Sequence, residues 1–228
     1  MSPAVLFFGA IGTLAETSDL QRRAFNRAFL DAGLDWHWDA DTYAEMLKAP
    51  GGLRRIEAYA DRVGDRVDTS AIYLAKKRHF GALVRSRGIE PRPGVAEMLL
   101  AAERDDIPVG LCSGTDPDQV DLILDNLGPD ATREQFAWIA DSAEVERDKP
   151  APDIYDYALD AMGVPPDRAL AIEDTPESAE AALAAGLPVV GFPGRASAGR
   201  EFQPGVLVVD RLRERLLALG LRGAVAAE

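Results

Sequence analysis

Val5-Leu6-Phe7-Phe8-Gly9-Ala10-Ile11-Gly12-Thr13-Leu14 reads as a strand running into a glycine-rich turn. Its four leading apolar residues are continuous rather than alternating, the pattern of a strand buried on both faces. Thr17-Ser18-Asp19 then opens a helix, with Gln21 three residues after Ser18 as in a capping box. Leu20, Ala24 and Ala28 share one face of that helix. Phe25 and Phe29 widen the stripe, and Gly33 stops it. A strand, a turn and a helix in that order are the start of a parallel sheet.

The same rhythm resumes late in the chain. Strand signals return near Gly88, and Pro91-Arg92-Pro93-Gly94 reads as a turn into a helix around Met98 to Glu103. Ile107 to Cys112, Phe136 to Ala140, Ala169 to Ile172, Val189 to Phe192 and Val206 to Val209 read as strands. Val120 to Leu127, Ile154 to Met162, the alanine-rich Ser178 to Ala185 and Leu212 to Leu219 read as helices. This alternation predicts an α/β fold, a doubly wound parallel sheet wrapped on both faces.

Residues from about Tyr43 to Arg87 break the rhythm. They read as helices alone, interrupted at Gly51-Gly52 and Gly64, with Ile72, Leu83 and Val84 marking one amphipathic helix. The expectation is an all-helical insertion at residues 15–87, between core pieces at 1–14 and 88–228. Ligands of a doubly wound sheet sit beyond the carboxyl ends of its strands. An insertion at that edge is expected to act as a lid.

Composition narrows the partners. The 228 residues are 47% apolar and 28% charged, enough for a sizeable core. Lys and Arg number 25 against 38 Asp and Glu, a formal charge of -13. Such a surface repels phosphate backbones and anionic lipid, which argues against nucleic acid and membrane partners. The one cysteine, Cys112, lies in an apolar run and reads as a small buried hydrophobe in a reducing compartment. No Lys or Arg precedes the first apolar run, and no apolar stretch reaches the ~18 residues of a membrane helix. The expected location is cytoplasmic.

Two readings of the first turn compete. Gly9-x-x-Gly12-x-x-Ala15 after a strand is similar to a dinucleotide-binding loop. That reading requires a second strand soon after the helix, ending in an acid. Gly33-Leu34-Asp35-Trp36-His37-Trp38-Asp39 and further helix follow instead. The stronger resemblance, over nearly the full length, is to the haloacid dehalogenase superfamily, in the helical-cap branch of β-phosphoglucomutase and the sugar-phosphate phosphatases. Arg23-Ala24-Phe25-Asn26, Gly51-Gly52 and Lys149-Pro150-Ala151-Pro152-Asp153 look like bacterial phosphatases that clear sugar bisphosphates.

That resemblance implies four loops at the carboxyl edge of the sheet. The first carries an aspartate nucleophile and, two residues on, an aspartate general acid/base. Here those positions are Gly9 and Ile11, so no catalytic residue is intact. The second loop implies phosphate binding by Ser113 and Gly114, and the third by Lys149. The fourth implies magnesium held by Asp174 and Glu173, with the backbone carbonyl of Ile11 as a further ligand. All are weakened by the loss of the first-loop carboxylate. The expected cofactor is accordingly none, or weakly held Mg, and an ion pair from Lys149 is expected to close the site in its place. The acidic loop Asp141 to Asp148 offers Lys149 a local alternative partner.

Each residue also has a plainer reading: Lys149 as a surface lysine, Glu173 and Asp174 as acids at a helix start. In the cap, the family's histidine is Gln21 here and its phosphate-binding lysine is Leu53, leaving Arg22, Arg54 and Arg55 as candidate substrate contacts. The resulting expectation is a phosphatase-like protein without its nucleophile that binds a phosphorylated sugar or a protein partner. The alternative is a magnesium-dependent sugar-phosphate phosphatase with altered machinery.

Overall fold

The computed structural model describes residues 2–47 and 51–219; residues 48–50, part of the predicted helical run, lie outside it. The chain divides into two compact units, one of residues 1–16 and 89–228 and one of residues 17–88.

The first unit is built on a sheet of six parallel strands in the order β3-β2-β1-β4-β5-β6. They are β1 (Val5–Phe8), β2 (Val109–Cys112), β3 (Trp138–Ala140), β4 (Ala169–Glu173), β5 (Val189–Gly191) and β6 (Leu207–Val208). β1 lies between β2 and β4, with Phe8 opposite Leu111 on one side and Ile172 on the other. All four residues of β1 are fully buried, which is why its sequence does not alternate. Burying each of Leu6, Phe7 and Phe8 is worth about 1.5–3 kcal/mol. Val5 and Phe7 pack in a cluster rich in small residues, with Ala158, Ala171, Ala179 and Ala182. Gly110 is part of that economy: a Cβ there would lie 2.7 Å from the ring of Phe7.

The second unit holds α1 (Ser18–Asp31), α2 (Ala40–Met46), α3 (Gly52–Val63) and α4 (Thr69–Arg87). Back in the first unit follow α5 (Val95–Arg104), α6 (Pro117–Leu124), α7 (Asp153–Met162), α8 (Pro176–Ala184) and α9 (Arg215–Leu219). The helical unit has an aromatic core. Phe25, Phe29, Trp36, Trp38 and Tyr43 meet Ile56, Ala60 and Ile72. Asp39 caps α2 by accepting from the Thr42 amide at 2.7 Å.

Three local expectations are corrected. No capping box forms at α1: Thr17 occupies the N-cap without a side-chain bond, its hydroxyl buried and unpartnered among the described residues. The buried stripe of that helix includes Gln21, while Leu20 is only half-buried. No strand forms at residues 88–92, where the backbone amide of Ile89 instead binds the carbonyl of Asn126. Among the described residues no helix is long and apolar enough to cross a membrane.

Candidate functional site

The strand order reverses direction at β1, the position where a doubly wound sheet opens a crevice beyond its strand ends. Gly9 lies at that point, its amide bonded to the carbonyl of Ile172 on β4 at 3.1 Å. The turn after it is closed by amides of Gly12 and Leu14 bonding Ala15 and Ala10, both at 2.9 Å. Gly12 has φ +84°, and a side chain there would overlap the carboxylate of Asp174. Both backbone and space therefore require glycine. Thr13 beside it donates its hydroxyl to Asp174 Oδ1 at 3.1 Å.

Gly9 presents a different geometry. A Cβ built on it would lie 2.5 Å from Glu173 Oε2 and 2.7 Å from Thr13 Oγ1. The volume a side chain at this position would enter is thus taken by the Glu173 carboxylate. Glu173 ends β4 and is 1% exposed. Its Oε1 accepts from both Lys149 Nζ and the Tyr155 hydroxyl. Lys149 Nζ also donates to the Cys112 carbonyl at 3.0 Å and lies 4.9 Å from the centre of the Tyr155 ring. The partner of Lys149 is Glu173 across the sheet edge, not an acid of the loop before it.

Burial sets the protonation of the neighbours. Burial first, and the Glu173 charge second, push the Tyr155 phenol well above its ordinary value, so it stays a hydrogen-bond donor. Burial likewise raises the Cys112 thiol, which packs in the core as a hydrophobe. Asp174 is pushed up to about 7, by burial and then by Glu173, against the opposing effects of Thr13, Arg92 and Lys149. Its backbone carbonyl accepts from the Ser197 hydroxyl.

The remaining predicted residues divide in two. Ser113 and Gly114 follow β2, next to β1. Ser113 is 3% exposed, and its hydroxyl accepts from the Thr115 amide at 3.1 Å. Gly114 is exposed and opens onto free space. Ile11 sits in the first turn, paired with Ala15 in a single bridge. The arginines lie in the helical unit. Arg22 bonds the Trp38 carbonyl at 3.2 Å and Asp19 at 2.7 Å. Arg55 bonds the Met46 carbonyl at 3.0 Å and stands over the Tyr43 ring. These two hold backbone together, and Arg54 is exposed.

Sequence reasoning missed Tyr155 and Arg92. Tyr155 falls on the apolar face of α7 and reads there as core. Arg92 donates to the carbonyls of Gly12, Phe192 (2.8 Å) and Pro193 (2.6 Å), with its guanidinium 3.5 Å from the centre of the Phe192 ring. It clamps the first turn to the loop after β5. The available signal was a charged residue between Pro91 and Pro93, where a plain turn has no use for one.

The donor set does not suit a divalent cation. Glu173 spends Oε1 on Lys149 and Tyr155, and its Oε2 points into the Gly9 volume. Asp174 accepts from the Thr13 hydroxyl through Oδ1, and Gly9 supplies no carboxylate. No group of three or more His, Cys, Asp or Glu side chains among the described residues could hold a metal. The arrangement is a buried, self-neutralised cation beside an open loop.

A profile for haloacid dehalogenase-like hydrolases matches residues 4–186. Protein CbbY of Cupriavidus necator is 37% identical over 218 residues, covering 91% of this chain and 85% of that protein. A crystal structure of a mutant CbbY from Rhodobacter sphaeroides in complex with xylulose-(1,5)bisphosphate superimposes with a TM-score of 0.81 at 35% identity, covering 98% of this chain and all of that one. CbbY of the same organism in complex with phosphate superimposes equally well, covering 97% and 99%. A profile spanning most of the chain and relatives above 30% identity over nearly all of it place this protein in the haloacid dehalogenase-like hydrolase family.

Proposed function

We propose that this chain binds a phosphorylated sugar and does not cleave it by the covalent route of its family. One observation carries the reading: the turn after β1 holds Gly9 and Ile11, where that route needs a nucleophilic and a proton-transferring carboxylate, and Glu173 fills the Gly9 volume. Glycine has no attacking atom and isoleucine no exchangeable proton. General acid/base action alone contributes about 10² to 10⁴ in rate. Hydrolysis of phosphate monoesters is among the slowest of uncatalysed reactions, so the loss of the nucleophile as well removes useful turnover. Glu173 does not replace it, because it is buried and bonded to Lys149 and Tyr155.

The ligand class follows from the site and from the relatives. Ser113, the Gly114 amide and Lys149 form an anion cradle, and CbbY structures hold xylulose-(1,5)bisphosphate and phosphate. The helical insertion, residues 15–87, is the cap of the family's helical-cap branch in this reading. Magnesium, which the family chemistry uses, does not fit the residues at the β4 edge, and no step here runs through it. Thermal melting with xylulose 1,5-bisphosphate tests the reading. The expected result is a rise in Tm with ligand concentration, with the ligand recovered intact. Consumption of the ligand in the presence of magnesium favours the rival, a working phosphatase with altered machinery. No shift and no consumption favour a protein partner.

A further inference from the structure

We infer that Glu173 is a built-in competitor for the anion site: its carboxylate occupies the space left by Gly9 and holds the Lys149 ammonium that an incoming phosphate would need. The inference rests on reading Ser113, Gly114 and Lys149 as an anion cradle. Three observations support it independently of that reading. A Cβ on Gly9 would come within 2.5 Å of Glu173 Oε2, so the glutamate enters volume that any other residue at position 9 would deny it. Lys149 and Glu173 are nearly excluded from water, with side chains 9% and 1% exposed, so neither charge has a solvent substitute for the other. Tyr155 donates to the same Oε1, fixing the carboxylate on the Lys149 side.

A phosphate dianion approaching from the open face of Gly114 therefore meets an ammonium already satisfied by an internal carboxylate. To be held by Lys149 it must displace Glu173 or share the lysine with a like charge. The gap at Gly9 and the glutamate that fills it act as one unit. A side chain at position 9 would have to push the Glu173 carboxylate aside. The pair sets how tightly a phosphomonoester binds, as a built-in autoinhibitory contact.

The test is calorimetry with inorganic phosphate on the native chain, on Glu173→Gln and on Glu173→Gln with Lys149→Met. Glutamine keeps the size and removes the charge. Phosphate binding is expected to tighten by at least about tenfold in Glu173→Gln, equivalent to about 1.4 kcal/mol, and the gain is expected to vanish when Lys149 is also replaced. Equal affinity in native protein and Glu173→Gln overturns the inference, as does a gain that survives loss of Lys149. Absence of binding in both also overturns it, since the ion pair is then not what excludes phosphate.

A second measurement applies even if Glu173→Gln fails to fold. Gly9→Ala is expected to lower Tm by several degrees in the native background and by less than half as much in Glu173→Asp, whose shorter side chain withdraws from the contact. Equal losses in the two backgrounds contradict the interlock. The broader functional reading fails separately: it fails if the native chain consumes sugar phosphate, whatever Glu173 does.

Discussion

In the helical unit, Trp38 lies with its ring centre 4.7 Å from Phe29 and 4.8 Å from Phe25, and Trp36 lies 4.9 Å from Tyr59. At the carboxyl edge of the sheet, the equivalent buried positions hold Lys149, Glu173, Tyr155 and Asp174. The aromatic cluster is held by area and dispersion, where each ring contributes whether or not its neighbour is perfect. The charged cluster is held by pairing, where each member is tolerable only because of another. The difference predicts opposite responses to a second substitution: further loss in the helical unit, recovery at the sheet edge.

The largest effects are expected to be of similar size in the two regions. Trp38→Ala is expected to cost about 3–5 kcal/mol in denaturant melts, and adding Phe25→Ala to cost more than either alone. At the sheet edge, Lys149→Met leaves Glu173 buried without its cation, and is expected to cost about 3–5 kcal/mol. Adding Glu173→Leu is expected to restore much of that loss. A double variant at the edge that is less stable than Lys149→Met breaks the comparison.

A smaller effect sharpens it through pH. Asp174 is pushed up to about 7 in the folded protein against 3.8 in an unfolded chain. The folded protein thus keeps a proton that the unfolded chain releases between those values. This group's contribution is fully present in acid below the lower value and is lost as pH rises through the higher one. Melts of the native chain are expected to show that loss across pH 4–7 against the Asp174→Asn variant, in which the step disappears. An identical pH profile in the two proteins contradicts the burial argument.

The contrast between the regions also explains what the sequence discloses. Apolar cores are written as periodicity, so β1, β4 and the break in rhythm around Tyr43 to Arg87 were readable from residue type alone. Gly51 and Gly64 do bracket α3. The charged edge is written as single residues whose partners lie far away in sequence. Lys149 and Glu173 could be placed on their loops, but not the direction of the Glu173 carboxylate, because the vacancy at Gly9 that admits it lies 164 positions earlier. Arg92 escaped for the same reason: its three carbonyl partners belong to segments about a hundred residues apart or to the first turn. At α1 the Ser18–Gln21 capping pattern was present, but Thr17 takes the N-cap and Gln21 is buried. The extended segment after Gly205 gave only a two-residue strand, since an edge strand has one neighbour to pair with.

In the proposed function, the turn after β1 offers no group to attack phosphorus and no neighbour takes its place. Inorganic phosphate release from a panel of sugar mono- and bisphosphates, with magnesium and native protein, tests it most directly. No release above the buffer rate is expected for any member of the panel. Magnesium-dependent multiple turnover by the native chain would contradict it.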